Sequence, residues 1–567
     1  MRVWLVAGLA ALTLAPAARA DTALPPPRLT EQKAVAIFLA KEKVAGWAGR
    51  YPRKSLVTEA KHDSRYRDWT VKVWSEPAGQ IALGRVDDLT GLVKEAWIGP
   101  QVAWPMARGT EGAFGGKRIN SLPVWLGFCA VFLLGLADLR RPLSLRNLDL
   151  VVLASFSVSL WFFNEGHVFT SVPLVYPVLL YLLGRSAWIG LRDRSPRASP
   201  PVWPVWLLAA ATVFLAGFRI GLDLGDANVI DVGYSGVIGA HRIASGDAPY
   251  GHFPRETGVG CGPVDRDGRT VLRIQTNGRC EGQNEHGDTY GPVVYEAYLP
   301  GYAVIGWKGK GDRLDAARFT SILFDLACIV GLVLVGLRYG GRRLAATLAF
   351  AWAAFPFTQY VASSNSNDAI QPAFLIFGFW LASSPWGRGG FAALASWTKF
   401  APLVVAPLWA TYPDRRPRAI VLFATAFVLA TLAAFWVLLL EPHPLGAVGT
   451  FWHRTLGQQI GRESPFSLWD WRQYHAGLPD LYLAQRLLQG LLVVAAVTLA
   501  LVPRRKSPLQ LAALTAALLI GFEIVLTHWF YLYVAWFFPF FAFAVLARET
   551  HEGGSPPPSP GIADVPG

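Results

Sequence analysis

Apolar runs near bilayer-spanning length succeed one another from residue 122 to residue 547. In hydrocarbon a chain must satisfy its own backbone hydrogen bonds, so such runs fold as helices of about 20 residues. Composition agrees: 53% of the 567 residues are hydrophobic and 16% are charged, against about 25% charged in soluble proteins. The expected class is a polytopic α-helical membrane protein. One long wet stretch, residues 220–313, breaks the pattern. Loops of that length are commonly functional or disordered, and its Tyr, Val, Ile and Gly content argues against disorder. We read it as the functional loop.

The net charge of +13 invites a nucleic-acid reading, and its distribution refutes it. Short loops at 139–146, 185–200, 338–343, 384–389, 412–418 and 503–507 hold seventeen Lys or Arg against Asp193 and Asp414. Loops 164–171, 363–368 and 441–480 are acidic or nearly neutral. Positive charge gathered in alternate loops orients a protein in its bilayer. We therefore expect no nucleic-acid partner, the basic loops and the C-terminus in the cytoplasm, and the N-terminus and 220–313 outside. Loop charge divides the apolar sequence into about twelve to thirteen crossings, among them 202–219, 314–337, 344–362 and 369–384. Segment 388–412 has basic flanks at both ends, which predicts two short helices folded at Trp397–Pro402. Segment 292–307 is expected to be re-entrant or surface-lying, because a crossing there would place Arg338, Arg342 and Arg343 outside.

Residues 1–20 read as a signal peptide: Arg2, an apolar core, then Ala18-Arg19-Ala20 as a small-x-small cleavage site. An uncleaved anchor is the alternative, although the core is short for a span. Residues 21–118 form a small α+β domain before the first span. Thr30 can cap a helix over 31–48, and strand-like runs follow at 68–75, 80–87 and 91–99, with a hairpin turn at Asp88-Leu89-Thr90-Gly91. The pattern W-x-V-x-V…V-D-x-x-T-G-x-V-x-x-x-W resembles the PepSY-like domains found outside bacterial membranes. That resemblance implies a non-catalytic binding or regulatory module. Residues 119–200 carry additional transmembrane helices, 201–548 the main transmembrane domain, and 549–567 a Pro/Gly/Ser-rich tail expected to be disordered. Of the four cysteines, Cys129 and Cys328 fall in apolar spans. Cys261 and Cys280 lie in the long loop, where an oxidising compartment makes a disulfide the default, worth roughly 3 kcal/mol for a loop of about twenty residues.

Several short motifs occur in a telling order. They are Asp231-x-x-Tyr234…Gly239-Ala240-x-x-Ile243-x-x-Gly246-x-x-Pro249-Tyr250, then Tyr290-Gly291-Pro292, Asn365-Ser366-Asn367-Asp368, Ala395-Ser396-Trp397-Thr398-Lys399-Phe400-Ala401-Pro402, and RTLGQQIGRESPFSLW at 454–469. Their order, spacing and sidedness over residues 202–547 resemble the GT-C glycosyltransferases, in particular the polyprenyl-phosphate-mannose-dependent branch, glycosyltransferase family 87. The resemblance implies an inverting enzyme of a bacterial plasma membrane. It would use a polyprenyl-phosphate sugar of mannose or arabinose type as donor and an extracytoplasmic glycan or glycolipid as acceptor.

The residues carry a chemical argument of their own. Sugar transfer to a hydroxyl needs a carboxylate that takes the acceptor's proton. Asp231 stands in an apolar setting just past a span, where desolvation raises basicity; the alternative is a helix N-cap. Asp226 is the next candidate base, Asp223 follows, and Asp247 belongs to a turn. Lys399 is an ionisable group in a membrane segment, a functional hypothesis by default, and a point charge suited to a lipid phosphate; snorkelling to an interface is the alternative. Arg454 and Arg462 can clamp a phosphate bidentately. Tyr234, Tyr250, Tyr290, Asp288, Asn365, Asn367, Asp368 and His528 are candidate substrate contacts, weighed against turn, cap and interface roles.

No GxGxxG, P-loop, HExxH or Ser/His/Asp arrangement occurs, and no cofactor is demanded. The acids would suffice for one divalent cation, but no ligand spacing requires it. A transporter or lipid-handling protein with an outer sensor domain is the competing reading. Such folds tend to show inverted repeats with site residues near the midplane; here no repeat is visible and the polar residues collect at one edge. A non-catalytic scaffold of the same fold is also compatible with the sequence.

Overall fold

The computed structural model describes residues 26–547, apart from 77, 110–113, 194–200, 252, 254–270, 275–279, 284–286 and 309–313. The expected signal peptide, the C-terminal tail, Cys261 and the side chain of Cys280 lie outside the described residues. The chain divides into two compact units, Met1–Val102 and Ala103–Gly567.

In the first unit the Thr30 hydroxyl accepts the Lys33 N–H at 3.3 Å and starts a helix. Lys41 adopts an extended conformation and splits it into Glu31–Ala40 and Glu42–Ala48. Four antiparallel strands follow in the order β1 (Leu56–Asp63), β2 (Asp68–Ser75), β3 (Gly79–Asp87) and β4 (Val93–Ile98). The helices lay Ala34, Phe38, Val44 and Trp47 into the core with Val71, Val73, Ile81 and Val86. Only glycine fits at 84, because a Cβ there would meet the Phe38 ring at 2.0 Å. Asp87 Oδ1 accepts the Leu89 and Thr90 N–H groups, and Gly91 takes the positive φ of 73° that closes the β3–β4 hairpin. β1 was not among the expected strands. It pairs only with β2 and is polar and largely exposed, so its sequence lacks the alternation that marks a half-buried strand.

The second unit is mainly helical, with one two-stranded antiparallel sheet of Val271–Ile274 and Cys280–Gln283. Among the described residues, six helices are by length and composition able to cross a membrane: Leu145–Asn164, Val168–Arg192, Val205–Asp226, Asp315–Ala354, Pro417–Leu440 and Tyr482–Leu501. Shorter apolar helices occupy Leu122–Leu136, Pro508–Ile524 and Tyr531–Leu546. Other expected crossings are built from short or broken pieces. Asp315–Ala354 is interrupted at Gly341, whose φ of 70° no continuous helix can hold, and Pro356–Ser363 follows. Segment 292–307 forms two short helices, Pro292–Ala297 and Leu299–Ile305, each far below the length of a span. One set of polar groups inside the bundle is closed on itself. Arg219, fully buried, donates to Asp325 Oδ2 at 3.1 Å and to Thr358 Oγ1 at 3.1 Å, and Trp352 Nε1 donates to Asp325 Oδ1 at 2.8 Å. A second apolar cluster joins helix Asp231–Ala244, Tyr250, residues 294–298, Ile370 and Phe451. This cluster frames the candidate site.

Candidate functional site

The site begins with a broken hairpin. Ser384 Oγ caps Pro385–Ser396 by accepting the Gly387 N–H at 3.2 Å. Pro402 lacks an N–H and disfavours helix in the residue before it, so the helix stops and a 3-10 turn, Ala401–Val404, precedes Ala406–Ala410. Lys399 falls in that bend and is buried. Its Nζ donates to Asp368 Oδ1 at 2.5 Å, and Trp536 Nε1 donates to the same oxygen at 3.0 Å. The ammonium also lies 5.1 Å from the Tyr290 and Trp536 ring centroids and 5.3 Å from that of Tyr533. A carboxylate and three aromatic faces thus house one cation away from water.

Two further charges act on this cluster. Asp231, half-buried, is the first residue of helix Asp231–Ala244. The cap position belongs to Ile230, whose N–H donates to Ser364 O at 3.1 Å. The cap reading of Asp231 is therefore corrected by one residue. The helix can sit this close because Gly233 has no Cβ; one would lie 2.1 Å from the Asn365 carbonyl oxygen. The Asp231 charge is felt by Lys399, Tyr290 and Tyr533. Arg462 acts on the same three groups and on His528. Half-buried, it has no hydrogen bond or ion pair among the described residues. Burial, then Tyr533 and Asp231, push the Tyr290 phenol well above its usual range, so it stays a neutral donor. Burial, then Arg462 and Lys399, push His528 well below the usual imidazole range; its Nδ1 lies 2.9 Å from Ser464 Oγ.

Other candidates are committed to architecture. Asp288 is fully buried and accepts Arg454 Nε at 2.7 Å, Arg454 Nη2 at 2.6 Å and the Gly251 N–H at 2.7 Å. Arg454 thus turns its Nε and Nη2 edge on Asp288. Asn365, in the left-handed region at φ 49°, donates to Asp223 Oδ1 at 2.6 Å and to Asn228 O at 2.8 Å. Asp226 Oδ2 accepts the Arg118 N–H at 2.8 Å, in the first turn of Lys117–Asn120. Each of these was an expected substrate or catalytic residue, and each ties two segments together in the fold. Tyr250 donates to Tyr290 O at 3.0 Å and so supports the Tyr290 turn. Tyr234 is buried in the second apolar cluster.

The convergent set is Asp231, Tyr290, Asp368, Lys399, Arg462 and His528. Sequence reasoning missed Tyr533 and Trp536, hidden in a run of aromatics that an interface belt would also explain. It missed Glu523 too, a buried carboxyl whose Oε2 accepts Trp529 Nε1 at 3.0 Å and whose charge reaches Asp368 and Tyr533. Among the described residues no group of three or more His, Cys, Asp or Glu could hold a metal ion.

Residues 300–527 match the model of glycosyltransferase family 87. Asp368, Lys399 and Arg462 lie inside that region, and Asp231 and Tyr290 precede it. The match agrees with the resemblance drawn from the motifs, at the level of a GT-C glycosyltransferase. No curated protein matches the chain. Among solved structures, the crystal structure of ArnT from Cupriavidus metallidurans bound to undecaprenyl phosphate is similar at 16% identity and a TM-score of 0.38, over 60% of this chain. The chain spans 59% of that structure's length.

Proposed function

We propose that this protein is a membrane glycosyltransferase that moves a sugar, of mannose or arabinose type, from a polyprenyl-phosphate donor to a glycan or glycolipid on the extracytoplasmic face. The observation that carries the reading is the juxtaposition of a carboxylate, Asp231, with one paired and one unpaired cation, Lys399 and Arg462, in and beside the family-87 region. In this reading the acceptor oxygen attacks the anomeric carbon with inversion. The bond from that carbon to the phosphate oxygen breaks, and the acceptor proton passes to Asp231. Polyprenyl phosphate leaves with one additional negative charge, which Arg462 and Lys399 stabilise. Arg462 meets it first, because no anion among the described residues already holds its fork and a guanidinium matches phosphate bidentately. Tyr290, kept neutral, donates a hydrogen bond. Asp226, whose Oδ2 accepts the Arg118 N–H, is the alternative base.

Asp231→Asn keeps the size and polarity of the side chain and removes the proton acceptor. Transfer should fall by roughly 10²–10⁴-fold, with normal protein yield and retained donor binding. Near-normal turnover would end the assignment of Asp231 as base.

A further inference from the structure

Beside the Asp368–Lys399 pair lies a group of buried amides and hydroxyls with no bonding partner among the described residues. Asn367 and Gln371 flank Asp368 where the turn Asn367–Ala369 runs into helix Ile370–Trp380. Both are 0% exposed. Among the described residues neither the nitrogen nor the oxygen of either amide has a hydrogen-bond partner. Helix Ile370–Trp380 packs antiparallel on Pro385–Ser396. Asp368 meets Lys399 at one end, and at the other a Cβ on Gly378 would lie 3.0 Å from that of Phe391. This register sets Ser396 level with Gln371, and the Ser396 hydroxyl is likewise buried and unpartnered. Tyr298, whose ring lies on Gly236, feels the Asp368 charge and carries a fourth unpartnered group, its phenol.

Polar atoms buried without partners are costly, about 1–3 kcal/mol each. The bundle elsewhere shows the alternative, since Arg219, Asp325, Trp352 and Thr358 saturate one another. A primary amide presents a donor and an acceptor side by side, which matches two adjacent hydroxyls. The ion pair at this corner is internally neutral, and amides recognise hydroxyls without favouring a charge. We propose that Gln371, with Asn367 and the Ser396 and Tyr298 hydroxyls, forms a subsite for neighbouring hydroxyls of a neutral sugar on the donor lipid. The proposal rests on the reading of the protein as a transferase with a lipid-linked donor, and it adds a residue, Gln371, and a selectivity for uncharged sugars.

The test compares the binding of undecaprenyl phosphate, its mannosyl and arabinosyl derivatives, and a glucuronosyl derivative to the purified full-length protein. Wild type should bind a neutral-sugar lipid roughly 10-fold or more tighter than the sugar-free lipid, and the glucuronosyl lipid no tighter than the sugar-free one. Gln371→Met should abolish that preference and leave the affinity for sugar-free lipid within about twofold, since one lost amide pair is worth about a factor of ten. Met is an uncharged isostere for an amide without partners, so ligand-free Gln371→Met should melt no lower than wild type. Survival of the sugar preference in the variant would overturn the subsite. So would equal weakening of both lipids, a glucuronosyl preference, or a lower melting temperature, which would mean that the amide is bonded inside the fold. Wild type binding none of the four lipids would overturn the donor reading itself, and the subsite with it.

Discussion

Two cations sit on one broken hairpin, Arg388 in the first turn of Pro385–Ser396 and Lys399 just past its end, roughly 16 Å apart along the helix. Both are buried, and they are housed in opposite ways. Among the described residues Arg388 bonds only backbone: it donates to Trp409 O at 3.0 Å, to Tyr412 O at 2.6 Å and to Ala382 O, with its guanidinium 5.4 Å from the Tyr412 ring centroid. Lys399 bonds a carboxylate, Asp368, and faces three aromatic rings. A fork saturated by carbonyls closes a chain path and has nothing left to offer a ligand. An ammonium held by a titratable side chain can exchange that anion for another. Burial alone therefore does not mark a functional charge in a membrane protein. The nature of its partner does.

Arg388→Met gives the largest expected effect. Three carbonyls lose their donor, at about 1–3 kcal/mol for each one left without a partner. No second substitution can restore them, because the partners are main chain. Purified yield and thermal melting read the loss; a variant that melts like wild type would erase the distinction between the two cations.

Lys399→Met alone strands Asp368, and breaking a buried pair on one side is strongly destabilising. The double variant Lys399→Met/Asp368→Asn should recover the fold, since replacing both partners is close to neutral, and Asn can still accept the Trp536 N–H. Affinity for undecaprenyl phosphate should remain lower by roughly 10–100-fold, the value of a charge-assisted hydrogen bond. Full donor affinity in the double variant would reduce Lys399 to a structural residue like Arg388.

The smallest effect is a pH dependence. His528 is pushed below its usual range by burial, then by Arg462 and Lys399. The unfolded chain therefore binds the proton first, and stability falls as pH drops below the unfolded value of about 6.5. Melting temperature should decline between pH 7 and 5. The decline should be shallower in His528→Gln, and shallower also in the Lys399→Met/Asp368→Asn variant, which removes one of the causes. An identical pH slope in wild type and His528→Gln would show that the imidazole is not held neutral.

Much of the scaffold was legible in the residues. Thr30, the strand alternation at 68–75 and 80–87, the break near Pro402 and the interruption between 337 and 344 are local signals, and the structure places elements accordingly. β1 was illegible because an exposed edge strand carries no hydrophobic period. Asp231 and Lys399 stood out because a charge in an apolar neighbourhood is visible from sequence alone. Arg388 read as a loop cation marking a membrane boundary, because nothing local says that three carbonyls surround it.

Pairing is where the sequence ran out. Asp288 and Arg454 were both candidates for the substrate, and they turned out to be each other's partners across 166 residues. Asn365 and Asp223 are joined across 142, and Trp536 reaches Asp368 across 168. Hydropathy, capping and proline geometry act over a few neighbours, so the amino-acid order by itself determined which segments are helical, where they break and which residues are costly to bury. Whether a buried charge is neutralised depends on what lies within about 4 Å in space, and Coulomb energies there change several-fold with the local dielectric. Only the packed bundle could decide that Lys399 pairs with Asp368, and that among the described residues no anion holds the Arg462 guanidinium and no partner bonds the Gln371 amide.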